Sequence, residues 1–407
     1  MYDHILIRYG ELSLKKGNRK TFTNRLNNHI KRALSSFEKI RFEDRGVRYY
    51  VHLNGTEPDE IIEILRKIPG IYSFSLVAKT NSNIDDIKNL AEQVLKSEIK
   101  GNTKIKIETN RADKNFPLKS PEITKEVARH IFKNIENIKA DMHEPDLTMN
   151  IDVRPEGTFI YTKVYKGLGG FPSGILGKGL LLISGGLDSV VGGYLALKKG
   201  IELEAIHFAS PPHTSAQAEQ KVIDLIEKIA CYDSNQKITL HVIPFTKIQE
   251  QIYRNCQDDY GITIMRRMMY RIAERLAKSV NAVALVTGES VGQVASQTLE
   301  SLAVINEVTN IPIVRPLSTM DKEDIIKIAR DIETYDISIK PYEDCCTIFV
   351  PRHPQIKPKL SKAIEEENKF DYESLIEEAL INKKVYHLSS KKHTNIFIND
   401  ENIENLF

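Results

Sequence analysis

The 407-residue sequence contains no long apolar run and only four cysteines. No stretch approaches the roughly 18 uninterrupted apolar residues that a membrane span needs. The N-terminus carries charged side chains where a signal peptide would have its apolar segment. Cys231, Cys256, Cys345 and Cys346 are too few and too irregularly spaced for a disulfide framework or a tetrahedral zinc site. We therefore expect a cytoplasmic protein with reduced thiols and no membrane partner.

Charge is unevenly distributed along the chain. The formal net charge is +2, but residues 1–50 hold 12 Lys and Arg against 5 Asp and Glu, whereas residues 51–170 hold 18 of each. Because nucleic-acid affinity comes largely from neutralising backbone phosphates, a basic N-terminal segment indicates a polyanionic partner, although a solvated charged surface explains the pattern equally well. The candidate RNA contacts are basic side chains in two loops: Lys15, Lys16, Arg19, Lys20, Arg111 and Lys114.

Two familiar phosphate-binding patterns are also missing, G-x-x-x-x-G-K-[ST] and G-x-G-x-x-G. In their place, the sequence Ser-Gly-Gly-Leu-Asp-Ser at 184–189 follows four consecutive aliphatic residues, 180–183. The aliphatic run predicts a strand of a parallel sheet, buried on both faces, and a helix is expected over 190–199. Glycines let a ligand approach the backbone, and a helix N-terminus offers unpaired N–H groups. The turn therefore predicts a phosphate or pyrophosphate site, with an ordinary glycine-rich turn as the alternative.

Alternating strands and helices on both sides of this turn predict an α/β protein with several domains. Residues 1–56 predict a small α/β module, and residues 57–166 predict a second unit of βαβ type. Residues 167–179 contain six glycines and one proline, which is typical of a linker. Residues 180–407 follow as a domain in which ligands are expected outside the carboxyl ends of the strands.

Two further pairs of residues are expected near the turn. His207 and Phe208 end a predicted strand, so they can border a nucleotide, although Phe208 could equally be a core residue. Arg266 and Arg267 lie near the start of a predicted helix. One of these guanidinium groups can face the phosphates while the other pairs within the protein.

Cys345 and Cys346 are adjacent, and adjacent cysteines rarely bond to each other because the resulting ring violates disulfide geometry. The plain interpretation is a pair of buried small apolar side chains. Arg352 and His353 are near in sequence, however, and basic neighbours lower a thiol pKa, so that the thiolate becomes a nucleophile and a sulfur carrier. The other two cysteines are assigned no role.

The turn at 184–189 resembles the PP-loop of ATP pyrophosphatases, and the unit containing Arg-Ala-Asp-Lys-Asn-Phe-Pro at 111–117 resembles a THUMP domain. Three further motifs are Arg-Tyr-Gly-Glu-Leu at 8–12, Gly-Glu-Ser-Val-Gly-Gln-Val-Ala-Ser-Gln-Thr-Leu at 288–299 and Glu-Asp-Cys-Cys-Thr-Ile-Phe at 343–349. Together these motifs resemble the ThiI family, the tRNA 4-thiouridine synthetases. The resemblance implies an N-terminal ferredoxin-like module, a THUMP domain and a PP-loop ATP pyrophosphatase domain with a Rossmann-like parallel sheet.

The resemblance implies that ATP adenylates O4 of uridine 8 in tRNA and that a persulfide sulfur then displaces AMP, giving 4-thiouridine. A role in thiamine thiazole synthesis is also attached to the family. Cys346 aligns with the reactive cysteine, and Cys345 is the alternative. Asp188 is expected to hold Mg²⁺ or position the pyrophosphate, because a hard cation prefers carboxylate oxygen. Carried over from the family, the nucleotide-binding residues are Leu182, Ile183, Ser184, Gly185, Gly186, Asp188, Ser189, His207, Phe208, Arg266, Gly288 and Gln297.

Many family members carry a C-terminal rhodanese domain with a second persulfide cysteine, whereas no cysteine follows Cys346 here. We therefore expect a separate cysteine desulfurase as the sulfur donor, and the resemblance also implies a homodimer and a ThiS-type sulfur carrier protein. Val190 stands where proline is usual, and Ala209 where histidine is frequent, which predicts weaker preorganisation rather than lost activity. The alternatives are another adenylating PP-loop enzyme that acts on RNA and a non-catalytic RNA-binding protein.

Overall fold

The computed structural model describes residues 2–10, 17–342, 351 and 353–390. The chain forms two compact units, the first ending at Gly170 and the second beginning at Phe171. Within the described ranges, no helix is both long and apolar enough to cross a membrane. Several residues singled out in the sequence lie outside the described ranges: Lys15, Lys16, Cys345, Cys346 and Arg352.

The first unit is built on a mixed sheet flanked by helices. Its elements in chain order are β1 (His4–Arg8), α1 (Arg19–Ala33), β2 (Arg41–Asp44), β3 (Arg48–His52), α2 (Asp59–Arg66), β4 (Ser73–Thr80), α3 (Ile84–Glu98), β5 (Thr103–Arg111), α4 (Ser120–Asn134), β6 (Ile138–Ala140), β7 (Leu147–Arg154), β8 (Gly157–Tyr161) and β9 (Tyr165–Lys166). The strand order is β2-β3-β1-β4-β8-β7-β5-β6, and β9 also pairs with β4.

Strand β4 is central to this unit. Its residues 73–77 pair with β1, and its residues 78–80 pair with β8, both antiparallel. It therefore joins strands from both sides of the border predicted at residues 56 and 57. The alternating residues 104–109 predict a strand with one wet face, and β5 has this pattern, because Ile105 and Ile107 are buried while Lys104 and Lys106 are not. Burial on one face of this strand follows directly from the period-two pattern.

The second unit is an α/β domain. Its elements in chain order are β10 (Lys178–Leu182), α5 (Leu187–Lys198), β11 (Glu202–Ala209), α6 (Ala216–Ala230), β12 (Lys237–Pro244), α7 (Thr246–Asn255), α8 (Gly261–Ser279), β13 (Ala284–Val286), α9 (Leu299–Asn306), β14 (Ile313–Val314), α10 (Lys322–Asp331), α11 (Tyr335–Ser338), α12 (Leu360–Glu367), α13 (Tyr372–Ile381) and β15 (Lys384–Ser389). Short 3-10 helices cover Asp258–Tyr260 and Ala295–Gln297.

The sheet of the second unit has the order β14-β13-β10-β11-β12-β15. Strands β10 to β14 are parallel, and β15 pairs antiparallel with β12 at the edge. The chain proceeds from β10 to β12 in one direction and then returns to place β13 on the other side of β10. This switch in strand order creates a crevice at the carboxyl ends of β10 and β13, where open α/β sheets bind ligands.

Two sequence predictions for the second unit need correction. Helix α5 begins at Leu187 rather than at 190, so Asp188 and Ser189 belong to its first turn. Strand β10 begins at Lys178, inside the segment predicted as a linker. Helices α9, α12 and α13 and strand β15 were not predicted from the sequence. The start of α5 is difficult to predict from residues 184–189, because glycine and serine are common at helix N-termini as well as in turns.

Candidate nucleotide site

A cavity of about 170 Å³ lies at the carboxyl ends of β10, β11 and β13. Every residue predicted to bind nucleotide lines this cavity except Gly185, which lies in the same turn. The lining consists of Leu182, Ile183, Ser184, Gly186, Asp188, Ser189, His207, Phe208, Arg266, Met269, Thr287, Gly288, Glu289 and Gln297. Residues separated by more than 100 positions in the sequence therefore meet at the switch in strand order.

The turn between β10 and α5 is closed by its two serines. The Ser189 hydroxyl lies 3.0 Å from the Ser184 carbonyl and 3.1 Å from the Gly186 carbonyl, and it accepts from the Ser184 N–H at 3.1 Å. The Gly186 N–H donates to Ser184 Oγ at 3.2 Å. By their chemistry alone, both hydroxyls are potential donors to an anion. The structure instead uses the Ser189 hydroxyl to hold the turn in shape.

Helix α5 directs its N-terminus at the cavity. Gly186 is the N-cap residue and has no side chain to accept from the first-turn N–H groups. Those groups and the helix dipole attract negative charge, so this end of α5 suits a phosphate. Helix α5 also packs closely on the strand ends, because Gly192 leaves room for Thr287 and Gly288.

The Asp188 carboxylate, one-quarter exposed, has two partners in the second unit. Lys322 Nζ donates to Oδ1 at 2.6 Å, and Gln293 Nε2 donates to Oδ2 at 2.8 Å. Among the described residues, no group of three or more His, Cys, Asp and Glu side chains could hold a metal ion. Asp188 is thus a single carboxylate beside a cation rather than part of a ready-made metal cage.

Glu289 is buried at 3% exposure in the cavity wall, where its carboxylate accepts from four donors. Tyr270 Oη, Thr287 Oγ1 and Arg315 Nε donate to Oε2 at 2.8, 3.0 and 2.8 Å, and the Arg266 guanidinium donates to Oε1. Burial alone would favour the neutral acid, but Arg266 and Arg315 outweigh it and lower the pKa of Glu289. The carboxylate is therefore ionised at neutral pH.

The two consecutive arginines of α8 have different surroundings. Arg266 lines the cavity and lies over the Tyr270 ring, with its guanidinium carbon 5.8 Å from the ring centroid. Arg267 is fully buried and forms a forked pair with Glu367, at 2.8 and 2.9 Å, and a further bond to Glu307 at 3.0 Å. Arg267 thus pairs within the protein, as predicted for one of the two arginines, whereas Arg266 reaches the cavity and its contact with a ligand stays a prediction.

His207 and Phe208 lie at the end of β11 as the sequence predicted. His207 Nδ1 is 3.1 Å from the Ile183 carbonyl, which assigns a proton to Nδ1. Phe208 is 5% exposed, lines the cavity and packs edge-on against Phe245 at 5.1 Å. Phe208 therefore belongs to both the core and the cavity wall, and its contact with a nucleotide stays a prediction.

The described RNA candidates in the first unit differ in how firmly they are held. Arg111 donates to the carbonyls of Lys114 and Phe116 at 3.2 and 3.1 Å, so it shapes its own loop. Arg19 donates to the Gly46 carbonyl at 2.5 Å. Lys20 and Lys114 are exposed. The exposed lysines are the better candidates for a phosphate, because their side chains are not committed to a loop carbonyl in this way.

Sequence reasoning missed three residues of the cavity wall, Met269, Thr287 and Glu289, and one partner of Asp188. Glu289 had a usable signal, because it directly follows Gly288, which the family resemblance assigns to the nucleotide site. No signal in the sequence indicated Lys322, because it begins a helix 134 residues after Asp188.

Cys256, to which we assigned no role, is half-buried, and burial raises the pKa of its thiol to about 11.

The chain is similar to known proteins over nearly its whole length. The sequence profile described as Thiamine biosynthesis protein (ThiI) matches residues 174–372, and those of the ThiI ferredoxin-like domain and the THUMP domain match residues 4–75 and 81–163. A probable tRNA sulfurtransferase of Geobacillus kaustophilus (strain HTA426) is 48% identical over 380 residues, covering 93% of this chain and 94% of that protein.

Two solved structures share the fold. One is the crystal structure of a 4-thiouridine synthetase–RNA complex with bound ATP, with a TM-score of 0.88, 36% identity and coverage of 96% of this chain and 100% of that chain. The other is PH1313 from Pyrococcus horikoshii Ot3, with a TM-score of 0.64, 22% identity and coverage of 81% and 99%, which supports the fold alone. Together with the profile matches, they confirm the predicted fold class and domain order.

Proposed function

This chain belongs to the ThiI family of tRNA sulfurtransferases, and we propose that it uses ATP to convert uridine 8 of tRNA into 4-thiouridine. The observation that carries this proposal is the cavity at the strand switch. It brings together the Ser-Gly-Gly-Leu-Asp-Ser turn, the N-terminus of α5 and Arg266 in a chain whose relative was solved with ATP and RNA. That arrangement suits a triphosphate.

The first half of the reaction is an adenylation. The uridine O4 attacks the α-phosphorus of ATP, an O–P bond forms, and pyrophosphate leaves. The α5 N-terminus and Arg266 would bind the phosphates and stabilise the charge that develops on them. The nucleotide roles of the residues carried over from the family, including Gly185 and Gln297, are part of this proposal.

Mg²⁺ fits this site as an ion held partly by the nucleotide. Asp188 offers one carboxylate, and Mg²⁺ is commonly bound through one or two carboxylates, substrate phosphates and water rather than by an all-protein cage. When bound, the ion would neutralise charge on the triphosphate. Lys322 and Gln293, which contact Asp188, would orient the carboxylate for this role.

The second half of the reaction is a sulfur transfer by Cys346, with Cys345 as the alternative. The terminal persulfide sulfur attacks C4 of the adenylated uridine, a C–S bond forms, the C4–O bond breaks and AMP leaves. A thiol reductant then cleaves the S–S bond, leaving sulfur on the uridine. A separate cysteine desulfurase would load the persulfide, and the same cysteine could pass sulfur to a ThiS-type carrier protein for thiazole synthesis.

Basic side chains of the first 170 residues would bind tRNA, namely Lys15, Lys16, Arg19, Lys20, Arg111 and Lys114. We further propose that the domains divide near the predicted borders, with residues 178 and 179 belonging to β10 of the PP-loop domain rather than to the linker. We also propose that the protein acts as a homodimer and that it works in the cytoplasm, where its tRNA substrate is found. These proposals rest on the family resemblance and on the charge distribution of the sequence.

One reconstitution tests the proposed function. The purified protein is incubated with tRNA, ATP, Mg²⁺, cysteine, a thiol reductant and a cysteine desulfurase, and 4-thiouridine is detected by its near-ultraviolet absorbance. We expect Cys346→Ser to lose thiolation but retain tRNA-dependent pyrophosphate release, and Asp188→Ala to lose both. Absence of 4-thiouridine with several desulfurases would favour another RNA-adenylating enzyme. Thiolation by Cys346→Ser would instead transfer the role to Cys345.

A further inference from the structure

The two oxygens of the Glu289 carboxylate serve different sides of the site. Oε2 accepts from Tyr270, Thr287 and Arg315, which come from α8, the end of β13 and the segment after β14. Oε1 accepts from the Arg266 guanidinium, which lines the cavity. Three contacts therefore fix the carboxylate in place, and its remaining oxygen faces the arginine that would meet the triphosphate.

A carboxylate is the appropriate group at this position. All four partners donate to it, so a glutamine amide would turn two of its own donors towards other donors. The carboxylate also lies between two guanidinium groups, with Arg266 and Arg315 only 19% and 16% exposed. Since opposite charge is needed to hold two poorly solvated cations near each other, Glu289 permits both arginines to remain.

Arg315 is held on its far side as well, because its Nη2 donates to Asn306 Oδ1 at 2.6 Å. Arg315 and Tyr270 do not line the cavity, whereas Arg266 does. The contacts thus form a series from Asn306 through Arg315 and Glu289 to Arg266. Groups outside the cavity therefore orient the Glu289 carboxylate, and this carboxylate in turn contacts the guanidinium that lines the cavity.

We propose that Glu289 is a positioning residue for the adenylation step, which holds the Arg266 guanidinium in the orientation that stabilises the triphosphate as pyrophosphate leaves. The inference rests on the proposed function. Glu289 acts through Arg266 rather than on the nucleotide itself. Its removal should therefore impair turnover more than the binding of ATP, because binding is shared with the turn and the α5 N-terminus.

The test compares wild type and Glu289→Gln in tRNA-dependent pyrophosphate release, measured with full-length protein over a range of ATP concentrations. We expect kcat to fall about 10- to 100-fold, as for other misplaced charged groups, while the KM for ATP changes less than about threefold. A wild-type rate for Glu289→Gln overturns the inference. If wild type itself releases no pyrophosphate with tRNA, the proposed function fails instead, so the two failures are distinguishable.

A double-mutant cycle with Arg266→Met separates positioning from general disruption. If Glu289 acts through Arg266, Glu289→Gln should reduce kcat little further in the Arg266→Met background. If the double variant instead loses kcat by the product of the two single-variant factors, Glu289 works independently of Arg266 and the inference is overturned.

The matched control is Glu367→Gln. Glu367 is also buried and pairs with the next residue of the same helix, Arg267, but it does not line the cavity. It should lower the thermal midpoint while kcat for pyrophosphate release stays within about twofold of wild type. A kcat loss equal to that of Glu289→Gln would mean that any disturbance of α8 suffices, and would overturn the inference.

If Glu289→Gln does not fold, Tyr270→Phe supplies the second variant. It removes one donor to Oε2 without changing charge. A fall of about three- to tenfold in kcat, with the KM for ATP unchanged, is expected from a loosened carboxylate. A wild-type kcat for Tyr270→Phe would then overturn the inference.

Discussion

Gly288 lies so close to Asp188 that a β-carbon at position 288 would be 2.5 Å from the backbone carbonyl of Asp188 and 2.5 Å from the Ser189 nitrogen. The loop after β13 thus touches the first turn of α5, and the two sides of the cavity are in backbone contact. Gly288 is needed for space rather than for an unusual dihedral angle, because it is not among the residues with positive φ.

Gly288→Ala should therefore displace the first turn of α5. The atoms that the new β-carbon meets belong to the backbone of α5, which cannot move aside as a flexible side chain can. We therefore expect the free energy of unfolding to fall by about 1–3 kcal/mol and ATP binding to weaken about tenfold. Denaturant unfolding and calorimetric titration with ATP measure the two effects. The control is Gly261→Ala, where a β-carbon meets nothing within 4 Å. Wild-type ATP affinity in Gly288→Ala would show that the contact does not shape the site.

Lys322→Met removes the cation that contacts Asp188 at 2.6 Å. The Lys322 side chain is about half exposed, so we expect little change in stability. Catalysis should suffer more, with tRNA-dependent pyrophosphate release falling at least about tenfold, because the orientation of the Asp188 carboxylate is lost. Lys327→Met, an exposed change further along α10, should behave like wild type. Equal rates for the two variants would remove Lys322 from the site.

Lys20→Glu and Lys114→Glu test the RNA surface of the first unit. Both side chains are exposed, so the substitutions should leave the fold intact. Each phosphate contact removed should weaken tRNA binding and lower the magnitude of the salt slope by about 1. Filter binding or fluorescence anisotropy at several salt concentrations measures this slope. Lys125→Glu, on an exposed position of α4, controls for net charge, and an equal loss there would argue against a defined surface.

Acidification should remove the stability contributed by Glu289. Its pKa in the folded protein lies below the ordinary value of 4.5, because Arg266 and Arg315 outweigh the effect of burial. Such a group stabilises the fold fully above its unfolded pKa and loses that contribution as the pH falls through the folded pKa. The difference in unfolding free energy between wild type and Glu289→Gln should therefore be largest near neutral pH and shrink below about 4.5. A difference that is constant from pH 7 to pH 3 would contradict this assignment.

Much of the fold could be predicted because its signals are local. Residues 120–134 and 322–331 carry apolar side chains at helical spacing, which predicts helices with the bounds that α4 and α10 have. Edge elements were missed, since β2, with the sequence Arg-Phe-Glu-Asp, has almost no apolar alternation to detect. The start of α5 was placed three residues late because Leu187, Asp188 and Ser189 suit a turn as well as a first helical turn.

The sequence by itself determined the chemistry that this protein carries. A glycine-rich turn after an aliphatic strand, an arginine pair and a cysteine pair are recorded in residue order, and the family motifs among them are contiguous. Only the tertiary structure decided how those groups are arranged, because the switch in strand order brings the ends of β10, β11 and β13 to one cavity. It joined Lys322 to Asp188 and placed Glu289 between Arg266 and Arg315. Such contacts depend on through-space distance between side chains far apart in the chain, and neither propensity nor periodicity encodes that distance.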